Sequence, residues 1–112
     1  MPSTPPSALG EFELLVLLST LKLGDRAYPF AITKDLEARG GRTVSRAAVL
    51  ITLERLEDKE LVSSRYGDPS EERGGRPRRY FEVKPRGVKA VQQALARLDA
   101  LTAGLEDVLG RK

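Results

Sequence analysis

A chain of 112 residues is long enough for one hydrophobic core and too short for two, so any larger organisation has to come from association between chains. It contains no cysteine and no histidine, which excludes disulfides, the usual zinc sites, thiol or imidazole nucleophiles and imidazole bases; this argues against an enzyme and implies no cofactor and no metal. The net charge is only +3, yet it is gathered: between positions 73 and 89, Arg73, Arg76, Arg78, Arg79, Lys84, Arg86 and Lys89 stand against Glu82 alone, a patch suited to a polyanion such as nucleic acid.

Residues 1–8 (MPSTPPSA) are proline-rich, lack an apolar period and read as a flexible N-terminal arm. They carry neither the basic nor the apolar region of a secretion signal, and the longest apolar run, Leu14 to Leu18, is far too short to span a bilayer. The expectation is a cytoplasmic protein with no membrane partner. From Leu9 to Leu23 apolar residues crowd most of a helical wheel, so this first helix has to be covered on several sides, partly by a second copy of the chain. Gly24-Asp25 closes it. Pro29 opens a short second helix with Ile32 and Leu36 on one face, ended by Gly40-Gly41.

After the turn Arg42-Thr43-Val44, Ser45 can cap a third helix whose core face is Val49, Leu53 and Leu56. Two short helices joined by a glycine-containing turn make a helix-turn-helix. The opposite side of the third helix falls on Ala47, Ile51, Glu54, Arg55 and Asp58, flanked by Arg46 and Leu50. A strand from Leu61-Val62 to about Tyr66 and a second over Arg78 to Lys84, with Phe81 and Val83 alternating against Tyr80 and Glu82, form a β-hairpin around a glycine-rich loop. Pro85 then opens a final helix to about Leu109, with Val88, Val91, Leu95, Leu98, Leu101, Leu105, Val108 and Leu109 at spacings of three and four.

The predicted fold class is therefore mainly α with a small β-hairpin: a winged helix-turn-helix over 9–84 followed by a dimerisation helix over 85–112. Double-stranded DNA is the expected partner. Thr43, Ser45, Arg46, Ala47, Leu50, Ile51, Thr52 and Arg55 are the expected contacts from the third helix and its leading turn, and Arg73, Arg76, Arg78 and Arg79 those from the wing. Phe12, Leu15, Leu18, Val91, Leu95, Leu98, Leu101 and Leu105 are the expected homodimer interface.

In order along the chain, Leu9-Gly10-Glu11-Phe12-Glu13, Ala47-Ala48-Val49-Leu50-Ile51-Thr52-Leu53-Glu54-Arg55-Leu56-Glu57, Glu72-Arg73-Gly74-Gly75-Arg76-Pro77-Arg78-Arg79-Tyr80-Phe81 and Pro85-Arg86-Gly87 resemble the PadR-like transcriptional regulators. The resemblance spans Leu9 to about Leu95. It implies a homodimeric winged helix-turn-helix, usually a repressor, with the third helix in the major groove, the wing on the backbone or minor groove and the last helix in the dimer interface. It also leaves room for a small-molecule effector near that interface, against the alternative of a closed apolar seam. Leu50 stands where the family usually has a DNA-facing Tyr, beside Ile51 at a commonly polar position; Glu60 replaces the usual Gly after the third helix, and Lys84 an N-capping Thr. The expected function is a dimeric repressor on a palindromic operator. The alternative is a protein-interaction winged helix, docking through Leu50 and Ile51, with DNA binding secondary.

Overall fold

The computed structural model describes residues 9–41, 43–68 and 77–110. Helix α1 (Glu11–Leu23) begins where the Glu13 carboxylate accepts the Gly10 N–H at 3.0 Å, and ends at Gly24, whose φ of 62° suits a residue without Cβ. A 3₁₀ turn (Gly24–Arg26) leads to α2 (Pro29–Gly40), which starts with Pro29 in its first turn and stops at left-handed Gly41. Helix α3 (Arg46–Asp58) is capped by the Ser45 hydroxyl, which accepts the Ala48 N–H at 3.0 Å.

The end of α3 is a Schellman turn. Leu61 N–H donates to Leu56 O and Glu60 N–H to Glu57 O, with Glu60 itself in the left-handed region at φ 63°. The turn thus keeps the shape that glycine usually supplies, at the cost of a strained Glu60. Leu56 and Leu61, which flank the turn, are both buried, and their contact with the core holds it closed.

Strands β1 (Val62–Tyr66) and β2 (Arg79–Val83) pair antiparallel, with Val62 opposite Val83 and Ser64 opposite Phe81. Phe81 N–H also donates to Ala27 O at 2.8 Å, so the wing is fastened to the linker between α1 and α2. One core joins these parts: Val16 and Leu17 of α1, Ile32 and Leu36 of α2, Val49, Leu53 and Leu56 of α3, and Phe81 of β2. Ser19, fully buried, donates to Asp35 at 2.6 Å, and Asp35 accepts two bonds from Arg39 at 2.7 Å, clasping α1 to α2.

Helix α4 (Pro85–Thr102) packs through Gly87, Ala90, Val91 and Ala94. A Cβ at Gly87 would collide with the Leu61 carbonyl oxygen and a Val83 methyl, so the close approach of α4 to the hairpin requires glycine there. The last helix is shorter than the sequence pattern predicts. It stops at Thr102, Gly104 turns with φ 86°, and α5 (Glu106–Leu109) is a separate single turn. The apolar spacing continues through Gly104, but glycine allows the chain to leave the helix. Among the described residues no helix is long and apolar enough to cross a membrane, and none of their His, Cys, Asp or Glu side chains cluster as a metal site.

Candidate nucleic-acid interface

Helix α3 lies on the core through Val49, Thr52, Leu53 and Leu56 and exposes Arg46, Ala47, Ile51, Glu54, Arg55 and Asp58. The exposed stripe is the one that the helical period predicts. Thr43 and Ser45 lie exposed in the leading turn, where Ser45 is engaged as the cap. Ile51 is 54% exposed.

Thr52 corrects the expected set. It is 6% exposed, three residues beyond Val49 and one before Leu53, which places it on the core face and away from any groove. Leu50 is also displaced from the surface role. It is half-buried against the core, so a docking patch built on Leu50 together with Ile51 is reduced to Ile51.

Arg79, expected on DNA, instead faces the protein. Its guanidinium donates to Glu57 at 2.7 Å, Glu54 at 3.2 Å and Ser64 at 3.3 Å, and lies over the Phe81 ring at 4.9 Å. Ser64 in turn donates to Glu57 at 2.8 Å. Glu54 and Glu57 are one helical turn apart on α3, so Arg79 is a bracket holding the second wing strand to the recognition helix. The basic run in the sequence hid this role because the partners are acidic residues distant in the chain. Arg73 and Arg76 lie outside the described residues.

Arg78 remains exposed at the base of the wing, with its guanidinium 4.2 Å from the Tyr28 ring centre. Arg46 at the start of α3 sits 5.6 Å from the Phe30 ring centre, and Lys34 approaches the same ring at 5.6 Å. Tyr28, Phe30, Arg46, Leu50, Pro77 and Arg78 thereby line one open groove between the first turns of α2 and α3 and the wing. Sequence reading missed the two rings. The available signal was a pair of aromatics, in a chain with few, placed immediately before the helix-turn-helix.

The expected dimer residues divide. Val91 is buried in its own chain's core and has little surface to offer a partner. Phe12, Leu15 and Leu18 are partly buried against that core. Leu95, Leu98, Leu101 and Leu105 are exposed, Leu101 by 70%, and form an uncovered apolar ridge.

Glu13 shows how α1 is tied to α3. Burial pushes its carboxyl pKa up, but hydrogen bonds from Lys59, at 2.7 Å, and from the Gly10 N–H, with the charges of Lys59 and Arg55, outweigh this and hold it below its ordinary value.

A helix-turn-helix followed by a two-stranded wing, with guanidinium groups presented from both, defines a winged helix-turn-helix nucleic-acid-binding protein. The sequence profile of the PadR-like family of transcriptional regulators matches residues 17–93, and the chain belongs to that family. It is accordingly a DNA-binding transcriptional regulator. Similar solved structures include a PadR family regulator from Eggerthella lenta, 25% identical, with TM-score 0.66, covering 88% of this chain and 86% of that one. A PadR family regulator from hypervirulent Clostridium difficile is 22% identical with TM-score 0.72, covering 89% and 99%. A PadR-like regulator from Bacillus cereus is 15% identical with TM-score 0.70, covering 90% and 93%. No curated protein sequence matches the chain.

Proposed function

We propose that the protein is a cytoplasmic, dimeric repressor that binds a palindromic operator. Helix α3 enters the major groove with Arg46, Ala47, Ile51 and Arg55, while Arg78 and the wing tip engage the neighbouring backbone or minor groove. The observation that carries this reading is the solvent-facing α3 stripe, cationic at Arg46 and Arg55, beside a wing whose base presents Arg78. The uncovered ridge Leu95, Leu98, Leu101 and Leu105 supports a homodimer, because an apolar surface of that kind gains free energy by burial against its own copy. A small-molecule effector belongs with this reading at the seam of α1 and α4, where Phe12 is the single aromatic of the two helices; its signature is loss of DNA binding on addition of the ligand.

The test is duplex binding as a function of salt. Log affinity should fall steeply and linearly with log salt concentration. Arg46→Ala and Arg55→Ala should together remove the preference for operator over random duplex, with the melting temperature unchanged. Equal affinity of wild type and the double variant for the operator would remove α3 from the reading.

A further inference from the structure

We propose that Phe30 and Tyr28 are positioning residues for DNA binding: their ring faces hold Arg46 and Arg78 at the rim of one groove, where the two guanidinium groups grip the phosphodiester backbone between the recognition helix and the wing. The inference rests on the DNA-binding reading above and adds the groups that aim its arginines.

The geometry is a connected row. Arg46 lies 5.6 Å from the Phe30 ring centre and Arg78 4.2 Å from that of Tyr28, both within the range of cation–π attraction. Tyr28 meets Tyr80 edge to face, with ring centres 5.7 Å apart and planes at 74°, and Arg65 sits 4.7 Å from the centre of Tyr80. The row is fixed from beneath, because the Phe81 N–H bonded to Ala27 O joins the residue after Tyr80 to the residue before Tyr28. Pro29, between the two rings, sets the first turn of α2. The rings therefore belong to the framework, whereas the arginines they carry are long side chains that would otherwise lose rotamer freedom on binding.

The contrast with Arg79 defines the function. Carboxylates saturate the Arg79 guanidinium and turn it into a structural bracket. A ring face attracts the cation but accepts none of its in-plane hydrogen bonds, so the fork of donors stays available to phosphate oxygens. The groove between Arg46 and Arg78 is walled by Tyr28, Phe30, Leu50 and Pro77, and an apolar wall strengthens a charge–charge contact made at its mouth. Phosphate gripping is independent of base sequence. It fits a site at the start of α3, where the chain passes from leading turn to recognition surface.

The experiment measures binding of the full chain to a labelled random-sequence duplex at low salt, followed by a salt titration. Phe30→Leu should weaken binding about threefold, and Phe30→Tyr should restore it. Arg46→Ala should cost clearly less in the Phe30→Leu background than alone, a non-additivity that a merely structural ring would not produce. Tyr28→Leu and Arg78→Ala should behave as a second such pair. Each arginine variant should lower the slope of log affinity against log salt by about one, while the ring variants leave it unchanged. Phe30 is exposed, so its variants should melt as wild type does. Wild-type affinity in Phe30→Leu, strict additivity with Arg46→Ala, or unchanged slopes in the arginine variants would overturn this inference alone. A wild-type chain with no affinity for the duplex would overturn the DNA-binding reading and this inference with it.

Discussion

Arg79 and Glu60 show at the scale of single residues how charge and backbone conformation are settled by context. In the sequence, Arg78 and Arg79 are equivalent members of one basic run; in the structure, Glu54 and Glu57 take Arg79 into a half-sheltered network and leave Arg78 on the surface. Arg79→Ala should therefore lower stability by about 1 kcal/mol, discounted for the exposure of Glu54, whereas Arg78→Ala should reduce DNA affinity with stability unchanged. Thermal melting of the two variants checks this, and the reverse ranking would contradict it. Glu60 was legible as a departure from the usual glycine, but its consequence was not: the Schellman hydrogen bonds persist and the residue is held at φ 63°. Glu60→Gly should stabilise the protein by about 0.5–1 kcal/mol, since left-handed strain outweighs the added chain entropy of glycine. Its exposed pairing with Arg86 at 3.6 Å contributes little to offset that gain.

At the scale of elements, helix and strand positions were readable because apolar period, proline starts and glycine stops all agree with the fold. The end of α4 was not. The leucine spacing runs through Gly104 without a break, and only the backbone shows the helix ending at Thr102. The start of α4 lacks a side-chain cap at Lys84, so Lys84→Thr should add one and raise stability by about 0.5–1 kcal/mol in chemical denaturation. Gly87→Ala should do the opposite, forcing α4 away from the hairpin through the collision with the Leu61 carbonyl. The links between helices also predict an acid response. The hydrogen bond from Arg39 holds the Asp35 carboxyl below its ordinary value of 3.8, against burial and with help from Ser19, and Glu13 lies below its ordinary 4.5. A depressed carboxylate pKa means the folded state binds the proton less readily than the unfolded one, so the stabilisation is complete at neutral pH. It is lost as pH falls below these ordinary values and through the lowered folded ones. Asp35→Asn should flatten the fall in melting temperature between neutral pH and pH of about 3.

At the scale of the whole molecule, the chain completes one core and leaves a second apolar surface on α4. The sequence pattern placed Val91 and Leu95 on the same stripe, but the structure divides that stripe lengthwise: the first turns of α4 cover the core, and Leu95 onward extends past it. A dimer through this ridge would set two α3 helices at a fixed separation, which is how a protein of this size selects a two-part operator. Leu98→Glu with Leu101→Glu should yield monomers in sedimentation and lose operator binding, while the winged domain keeps its circular dichroism. The central claim is that α3 and the wing of such a dimer read duplex DNA. Selection of bound duplexes from a random-sequence pool tests it most directly: the account predicts enrichment of an inverted repeat with half-sites about one helical turn apart, about 34–36 Å, and loss of that enrichment with Arg46→Ala and Arg55→Ala. A folded wild-type chain that enriches no sequence, or enriches the same repeat with both arginines replaced, would contradict it.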